Sequence, residues 1–476
     1  MNYIEKVSAF LDSHCQEYYD VSDRIWSTPE LFFREEKSAA ALEELLERHG
    51  YRVDRGVADL PTAFTAEFGS GRPVVAILGE FDALPELSQE AACTEHRPIK
   101  EGAPGHGCGH NALGVGSAAA AIAIAHELAE NKLPGTVRYF GCPAEESGAG
   151  KEFLIQAGLF DDVDLALTWH PDTKNCILSL GQLAIQGLRF YFTGRSAHAA
   201  GSPELGRSAL DACELMNVGV NYLREHVPQE SRMHYAYLDV GGKAPNVVQS
   251  HACLKYYIRS PQMAVMLDIS ERVKDIARGA ALMTGTEVRI ETEFGMCDYM
   301  GNDALNRVMG RVLETVGGPQ FDDEDRALAE KFVSQYDETQ RGNDIDDLKK
   351  YLPADEDPAP YLEGPLFEKT IPYRRSAYVK AGSTDVGNVS HKVPTAWVNV
   401  AGCAFGTAYH SWCATAQAGS SIMHKALLCA AKVIAATALE VMTDPDTLKQ
   451  AKDEFMKASG GTYISPTGGA PLKMWL

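Results

Sequence analysis

The chain has 476 residues and a mass of 51.7 kDa, which is too long for a single ordinary core and predicts two or three domains. Hydrophobic residues make up 45% and charged residues 23%, as in folded globular proteins, and no stretch approaches the length of a membrane span. The net charge of -21 repels phosphate backbones and anionic lipids, so neither nucleic acid nor a membrane is an expected partner.

The N-terminal segment and the cysteines predict a cytoplasmic protein. MNYIEKVSAFLDSHCQEYYD has acidic and polar residues where a signal peptide needs a basic start and an apolar run. The 11 cysteines are odd in number and lack framework spacing, as expected of reduced thiols. Most should be small buried hydrophobic residues, with Cys108 as the exception.

The first half of the chain alternates predicted strands and helices. An amphipathic pattern that ends in glycine predicts a helix over 35–50. Buried strands are predicted at 74–78, 136–140 and 165–169, with a helix of small residues at 112–130. This order predicts an α/β fold, a central mixed sheet covered by helices, with sites at the strand ends.

Residues 182–293 have a different pattern, in the order strand, helix, two strands, helix, strand. This pattern predicts a compact α+β unit inserted into the chain. The α/β character returns with the alanine-rich helix predicted at 420–442. We therefore predict a discontinuous main domain over 1–181 and 294–476, interrupted by the inserted domain.

An acidic excursion at about 320–365 holds much of the excess charge. Between Asp322 and Glu363 there are 14 acidic and 5 basic residues. We interpret this segment as a solvated, partly helical excursion rather than a docking surface for a basic partner. The tail 464–476 has the composition of an extended terminal segment with little chemistry.

Potential metal ligands and proton carriers follow the predicted strands. Cys108 and His110 lie in the glycine-rich GHGCGHN, and both suit a borderline-soft divalent ion. Glu145 and Glu146 follow the strand at 136–140, so that one can bind metal while the other moves a proton. Each motif alone also has a plain explanation, as a glycine-rich turn or as two solvated acids.

Two histidines complete the set. His170 ends the strand at 165–169, and His410 lies near the C-terminus in GTAYHSW. Each alone is more typical of a satisfied core residue. Together, the six side chains suit two metal ions that activate a water and polarise a carbonyl.

Six motifs in this order resemble the amidohydrolase branch of the aminoacylase-type dinuclear metallopeptidases: GHGCGHN, PAEESGAG, TWHP, SAHAAGSPELGRSALDA, PNVVQ and GSTDVGNVS. The resemblance covers nearly the whole chain. It implies a zinc-peptidase-like catalytic domain, an inserted dimerisation or lid domain, and two divalent ions, Mn2+ or Zn2+, per subunit. The implied reaction is hydrolysis of the amide bond of N-acyl or N-aroyl amino acids, with p-aminobenzoyl-glutamate as the first candidate substrate.

The resemblance also implies a role for each matching residue. The implied metal ligands are Cys108, His110, Glu146, His170 and His410. Glu145 matches the general base, and His198 matches a histidine that the inserted domain presents to the partner subunit's oxyanion. Asn246 and Arg259 are candidates for holding the substrate carboxylate, with a structural turn and a strand-end charge as the plain alternatives.

Two positions depart from the family pattern. Many relatives have Asp after the Cys-Gly-His motif, where this chain has Asn111, so we expect Asp82 to orient His110 instead. His410 lies in AYHSW rather than in the commoner His-Ser-Pro or His-Asn-Pro, which makes it the weakest of the ligand assignments. The expected partners are a small N-acyl amino acid and a second copy of the chain, with a homologous second subunit left open.

Several alternatives remain open at this point. A dipeptidase or an indole-acetyl-amino-acid hydrolase would use the same site with another acyl pocket. A cysteine hydrolase would use Cys108 as nucleophile and His110 as base. A structural metal-binding or scaffold protein would need the ligands but no glutamate beside one of them.

Overall fold

The computed structural model describes residues 3–475. The helices are α1 Tyr3–Trp26, α2 Glu36–Arg48, α3 His110–Asn131, α4 Glu145–Gly148, α5 Gly150–Gln156, α6 Ala209–Leu223, α7 Met263–Thr284, α8 Asp303–Val316, α9 Asp323–Val333, α10 Glu338–Lys349, α11 Val386–Ser390, α12 Trp412–Ala418, α13 Ser421–Met442 and α14 Pro445–Ser459. The strands are β1 Arg52–Arg55, β2 Phe64–Ser70, β3 Val74–Glu80, β4 Gly135–Cys142, β5 Leu165–Asp172, β6 Cys176–Ile177, β7 Gly181–Gln182, β8 Ala184–Thr193, β9 Arg232–Asp239, β10 His251–Ser260, β11 Glu287–Met296, β12 Val379–Lys380 and β13 Thr395–Ala401.

The main sheet has seven strands in the order β1-β2-β4-β3-β5-β13-β6. The central strands β4, β3, β5 and β13 are parallel neighbours, and the outer strands pair antiparallel. Strands β3 and β13 are buried along their whole length, as strands covered on both faces should be. This architecture confirms the predicted α/β fold with a central mixed sheet.

Helices α3 and α13 pack against this sheet and against each other. A Cβ on Gly116 would lie 2.9 Å from the Trp169 ring, so glycine lets α3 approach β5 closely. By length and composition both helices could cross a membrane, although none was expected from the sequence. Both are mostly buried inside the protein, as core helices are.

A second sheet has four antiparallel strands in the order β11-β8-β10-β9. Helices α6 and α7 cover one face, where Leu254, Tyr256 and Ile258 of β10 are buried. All these elements lie between Ala184 and Met296, while β7 and β12 form a separate parallel pair. The division into domains at 182 and 293 remains a prediction.

The acidic excursion is less solvated than its charge indicates. It forms α9 and α10, and Phe332 and Leu348 from these helices are fully buried. Asp344 is also largely buried: one of its oxygens accepts a hydrogen bond from Lys174 Nζ (2.7 Å) and the other from the backbone N of Gly406 (2.9 Å). The excursion therefore packs onto the sheet that carries the candidate ligands.

The tail also makes specific contacts with the rest of the fold. After α14, residues of the segment 464–475 contact strands β8 and β11 of the second sheet. Gln186 Nε2 donates to Pro466 O (2.8 Å), and the Arg189 guanidinium stacks on Trp475, 4.2 Å from the ring centre. Because Gln186 and Arg189 differ by an odd number of positions along β8, the tail touches both faces of the sheet.

Candidate active site

Strand ends and one helix start bring the candidate ligands to the same edge of the main sheet. Glu80 ends β3, Glu145 begins α4 just after β4, and His170 lies near the end of β5. His110 is the first residue of α3, and Cys108 lies two residues earlier. This edge is formed by the carboxyl ends of the parallel strands, where α/β folds place their sites.

A glycine shapes the turn between Cys108 and His110. Gly109 has a φ of 76°, in the left-handed region that favours glycine. A Cβ there would lie 3.0 Å from Pro171 and 3.1 Å from Met423. The glycine therefore lets the two neighbouring side chains turn toward the same point.

The donor atoms of the predicted ligands form one cluster. Cys108 Sγ lies 3.4 Å from His170 Nε2, and Glu146 Oε1 lies 3.4 Å from His410 Nε2 and 4.0 Å from His110 Nε2. Three overlapping groups have all their donor atoms within 4.8 Å of one another: Cys108, His110 and His170; Cys108, Glu146 and His410; Glu80, His110 and Glu145. The structure thus brings all five predicted ligands together.

Hydrogen bonds on the far side orient two of the imidazoles. His110 Nδ1 lies 2.8 Å from Asp82 Oδ1, and the other oxygen of Asp82 accepts from the Glu146 backbone N (2.9 Å). His170 Nδ1 donates to Pro171 O (2.6 Å). Both rings therefore turn Nε2 toward the cluster, the arrangement that metal-binding histidines use.

Asn111, which follows the Cys-Gly-His motif, bonds residues of two other helices rather than His110. Its side-chain amide donates to Ser22 Oγ (3.1 Å) and to Ala418 O (3.0 Å). These bonds tie the start of α3 to α1 and to the end of α12, and the carboxylate beside His110 is that of Asp82.

The cluster fits a pair of divalent metal ions. His110 Nε2 and Glu146 Oε1 are buried, and neither has a hydrogen-bond partner within residues 3–475. Buried polar atoms without partners cost free energy, and a cation bound between them would remove that cost. A thiol, imidazoles and carboxylates are donors for zinc-like and manganese-like ions.

His410 differs from the other ligands. Its side chain is 53% exposed, its φ of 58° is unusual for a non-glycine residue, and its backbone N donates to Gly107 O (3.0 Å). It lies on the loop before α12, at the mouth of the cluster.

Burial and neighbouring charge set the protonation of the site. Burial, reinforced by Glu146, raises the pKa of the Cys108 thiol well above its usual value, which argues against a free thiolate nucleophile. Burial, with Glu80 and Glu146 nearby, also raises the pKa of Glu145 well above its usual value. Burial opposes ionisation of Glu146 too, but His410 and His110 outweigh it and hold its pKa at about 2. The paired glutamates thus differ as a proton carrier and an ionised ligand should.

Three buried residues were not predicted as part of the site. Glu80 Oε2 lies 3.4 Å from His110 Nε2, and its other oxygen accepts from Lys151 Nζ (2.6 Å). Lys151 also donates to Asp385 (2.6 Å), so a buried lysine neutralises two carboxylates beside the cluster. Glu80 in GEFDAL and Asp385 in GSTDVGNVS lie in conspicuous motifs, but no sequence signal marks Lys151.

A cleft of about 1190 Å³ connects the cluster to the second sheet. Glu145, Glu146 and His410 line one wall, and residues of the second sheet that include Arg259 line the other. Arg259 Nη1 donates to Ser383 Oγ (2.9 Å). The candidate carboxylate-binding arginine therefore faces the same cleft as the ligands.

Asn246 and His198 do not line this cleft. Both are exposed, and Ala199 N donates to Asn246 O (3.0 Å). Asn246 precedes the start of β10 and Arg259 lies near its end, so roughly 26 Å of strand separates them. One chain therefore does not bring these two candidates together.

His198 has a defined hydrogen-bonding pattern. Its Nδ1 accepts from the backbone N atoms of Ala200 (3.2 Å) and Gly201 (3.0 Å). In the neutral imidazole, the hydrogen then lies on Nε2. That nitrogen is available to donate a hydrogen bond to an oxyanion.

Comparisons with known proteins agree with the six motifs. Residues 76–439 match the model of peptidase family M20/M25/M40. The chain is 41% identical over 453 residues to one of the subunits of the p-aminobenzoyl-glutamate hydrolase of Escherichia coli, covering 94% of both chains. It is 30% identical over 459 residues to the Xaa-Arg dipeptidase of Mus musculus, covering 94% of this chain and 90% of that one.

A solved structure has the same fold. The YXEP protein of Bacillus subtilis, described as a dinuclear metal-binding peptidase from the M20 family, aligns with a TM-score of 0.56 and 16% identity. The alignment covers 90% of this chain and 99% of that one. The family resemblance of the sequence is thereby confirmed: the chain is a hydrolase of amide bonds that belongs to peptidase family M20/M25/M40.

Proposed function

We propose that the chain hydrolyses the amide bond of N-aroyl amino acids, with p-aminobenzoyl-glutamate as its substrate. The observation that carries this proposal is the cleft, which joins the partly buried Glu145 and Glu146 to Arg259 and to the rings of Tyr257 and Phe294. The two rings lie 5.3 Å apart and nearly perpendicular, and they offer an apolar surface to an aryl group. The name of the Escherichia coli relative supports the same substrate.

We propose that Cys108, His110, Glu146, His170 and His410 hold two divalent ions, zinc or manganese. Glu80 Oε2 is a further donor beside His110. When bound, the ions would polarise the amide carbonyl and lower the pKa of an attacking water.

The protein's own groups supply positioning and proton transfer. Glu145 accepts the proton of the water and passes it to the leaving amine, a role that its raised pKa suits. Arg259 holds the carboxylate of the amino-acid half through the free part of its guanidinium.

We propose that residues 182–293 form an inserted domain through which the chain forms a homodimer. Val218 and Tyr222 on α6 and Tyr235 and Leu238 on the edge strand β9 are large apolar side chains left exposed, as at an interface. Pairing there would let His198 and Asn246 act in the partner's cleft, since they do not line their own. The Escherichia coli relative is named as a subunit, so a homologous second chain is the alternative occupant.

The test is hydrolysis by the metal-reconstituted protein. We expect release of p-aminobenzoate from p-aminobenzoyl-glutamate, loss of activity with a chelator, and recovery with zinc or manganese. Dipeptides with C-terminal arginine and indole-acetyl-aspartate serve as competing substrates. Faster turnover of either competitor, or activity that resists the chelator, would overturn the proposal.

A further inference from the structure

Two arginines lie directly opposite each other on the second sheet. In the antiparallel register, Arg232 of β9 pairs with Arg259 of β10, and His234 pairs with Tyr257. Alternation along the strands puts all four on the same face, and all four line the cleft. Like charges directly opposite each other destabilise a sheet, so this pair has no evident structural benefit.

Neither arginine has a counter-charge, whereas their neighbours do. Arg189 and Lys255, on the same face, both bind Glu293, at 2.7 and 2.9 Å. In the described chain, no carboxylate lies within 4 Å of the guanidinium of Arg232 or Arg259, although Glu230 lines the same cleft. The cleft therefore contains two uncompensated guanidinium groups side by side.

Both guanidinium groups are held in place yet only partly used. Arg232 Nη1 donates to Gln229 O (2.6 Å) and to Ser231 O (2.9 Å). Arg259 uses only Nη1, toward Ser383. Within residues 3–475, Nε and Nη2 of both arginines make no hydrogen bond, and these atoms form the edge that grips a carboxylate bidentately.

His234 adds an uncharged donor beside them. Burial, together with Arg259, Arg224 and Arg232, lowers its pKa below the usual value, which favours the neutral ring. A neutral imidazole can donate to a carboxylate without adding a third positive charge.

We propose that Arg232, with His234 beside it, forms a second carboxylate subsite next to Arg259. The cleft would then select substrates whose amino-acid half has two carboxylates, as glutamate does, with Arg259 taking one and Arg232 the other. The opposed Cβ atoms of such a pair lie about 5 Å apart, close enough for one small dicarboxylate to bridge both guanidinium groups. This inference rests on the proposed function and deepens it.

The kinetic test compares p-aminobenzoyl-glutamate with p-aminobenzoyl-glutamine, which lacks the second carboxylate. The wild-type protein should prefer p-aminobenzoyl-glutamate by at least about tenfold in kcat/KM, which corresponds to the free energy of one charge-assisted hydrogen bond. Arg232→Gln should remove this preference by raising KM for p-aminobenzoyl-glutamate. The kinetics on p-aminobenzoyl-glutamine should stay nearly unchanged. Arg278→Gln is the matched control, because Arg278 lies on α7, pairs with Asp275 (2.6 Å) and does not line the cleft.

A binding test separates this inference from the proposed function. Calorimetry on the metal-loaded protein should show glutarate binding at least about tenfold more tightly than pentanoate, with the difference lost in Arg232→Gln. Equal binding of the two acids, or an Arg232→Gln variant that keeps the preference, would overturn the subsite. Glutarate selectivity without hydrolysis of either amide would overturn the proposed function and support the subsite. Circular dichroism and metal content confirm that each variant is folded and loaded.

Discussion

The cluster shows how few contacts decide the chemistry of a side chain. Glu145 and Glu146 are adjacent in the chain, yet Glu146 has two imidazoles within 4.0 Å of one of its oxygens, while Glu145 is buried among other carboxylates. Glu146 is therefore held ionised, whereas Glu145 takes up a proton at a higher pH than an ordinary carboxylate does. The same difference separates a metal ligand from a general base.

Glu145→Gln should lower turnover by at least about 100-fold, because an amide cannot accept the proton of the water. Metal content should stay nearly intact. The neighbouring variant Glu146→Gln should instead lower metal occupancy, since it removes the ionised oxygen of the cluster. Kinetics and elemental analysis on both variants check the assignment, and the reverse pattern would show that the two roles are exchanged.

Metal affinity should rise with pH. The pKa of Cys108 is raised by burial, and that of His110 is raised by the carboxylate of Asp82 despite its burial, so both ligands hold protons near pH 7 in the free protein. Binding must expel those protons, and apparent affinity should fall by about tenfold per pH unit for each proton displaced as the pH is lowered. Titrations between pH 6 and 8 measure this slope. A wild-type affinity independent of pH would argue against ligation by Cys108.

The variant Cys108→Ser should bind metal more weakly than wild type and should favour harder ions.

At the scale of elements, local patterns predicted the strands and helices that carry the ligands. The strands at 74–78, 136–140 and 165–169 are all present, and helix α3 begins at His110, close to the prediction. Helix α1 was not predicted, and the packing of α9 and α10 was missed because partners far apart in sequence create it. The Lys151 contacts were missed for the same reason, since Glu80 and Asp385 lie 71 and 234 positions away.

The acidic helix α10 should matter for the His410 loop. Asp344 bonds both Lys174 and the backbone of Gly406, four residues before His410. Asp344→Ala should lower the free energy of unfolding by about 1–3 kcal/mol, because it leaves the buried backbone N of Gly406 without its acceptor and removes one of the carboxylates around Lys174. It should also weaken metal binding. Asp346→Ala is the control, since Asp346 is on the same helix, is 71% exposed and, among the residues that the structure describes, pairs only with Lys349. Denaturant unfolding and metal titration compare the two variants, and equal effects would show that the Asp344 contacts do not hold the loop.

At the scale of the whole molecule, the candidate groups divide between two surfaces. The ligand cluster and Arg259 face the cleft of their own chain, whereas His198 and Asn246 lie outside it. The proposed dimer would unite them, so that each active site would draw on two chains.

Mixing His198→Ala with Glu145→Gln should therefore restore activity that neither variant has alone. About a quarter of all sites would be intact after complete, unbiased exchange, since each site draws its Glu145 and its partner's His198 independently. A mass tag on one variant verifies that mixed dimers form. Verified mixed dimers without recovered activity would show that His198 does not act across the interface.

The second sheet has two edge strands, β11 and β9, which differ in what lies beside them. A sheet with two open edges invites further strands at both, and chains can then join without end. Here the segment from Pro466 to Trp475 touches both faces of the sheet on the side of β11, one of its two edge strands. Within residues 3–475, no further strand pairs with the opposite edge, β9. If two copies of the chain pair through β9, each β9 edge gains one partner, so this association stops at a dimer instead of growing into an open-ended chain.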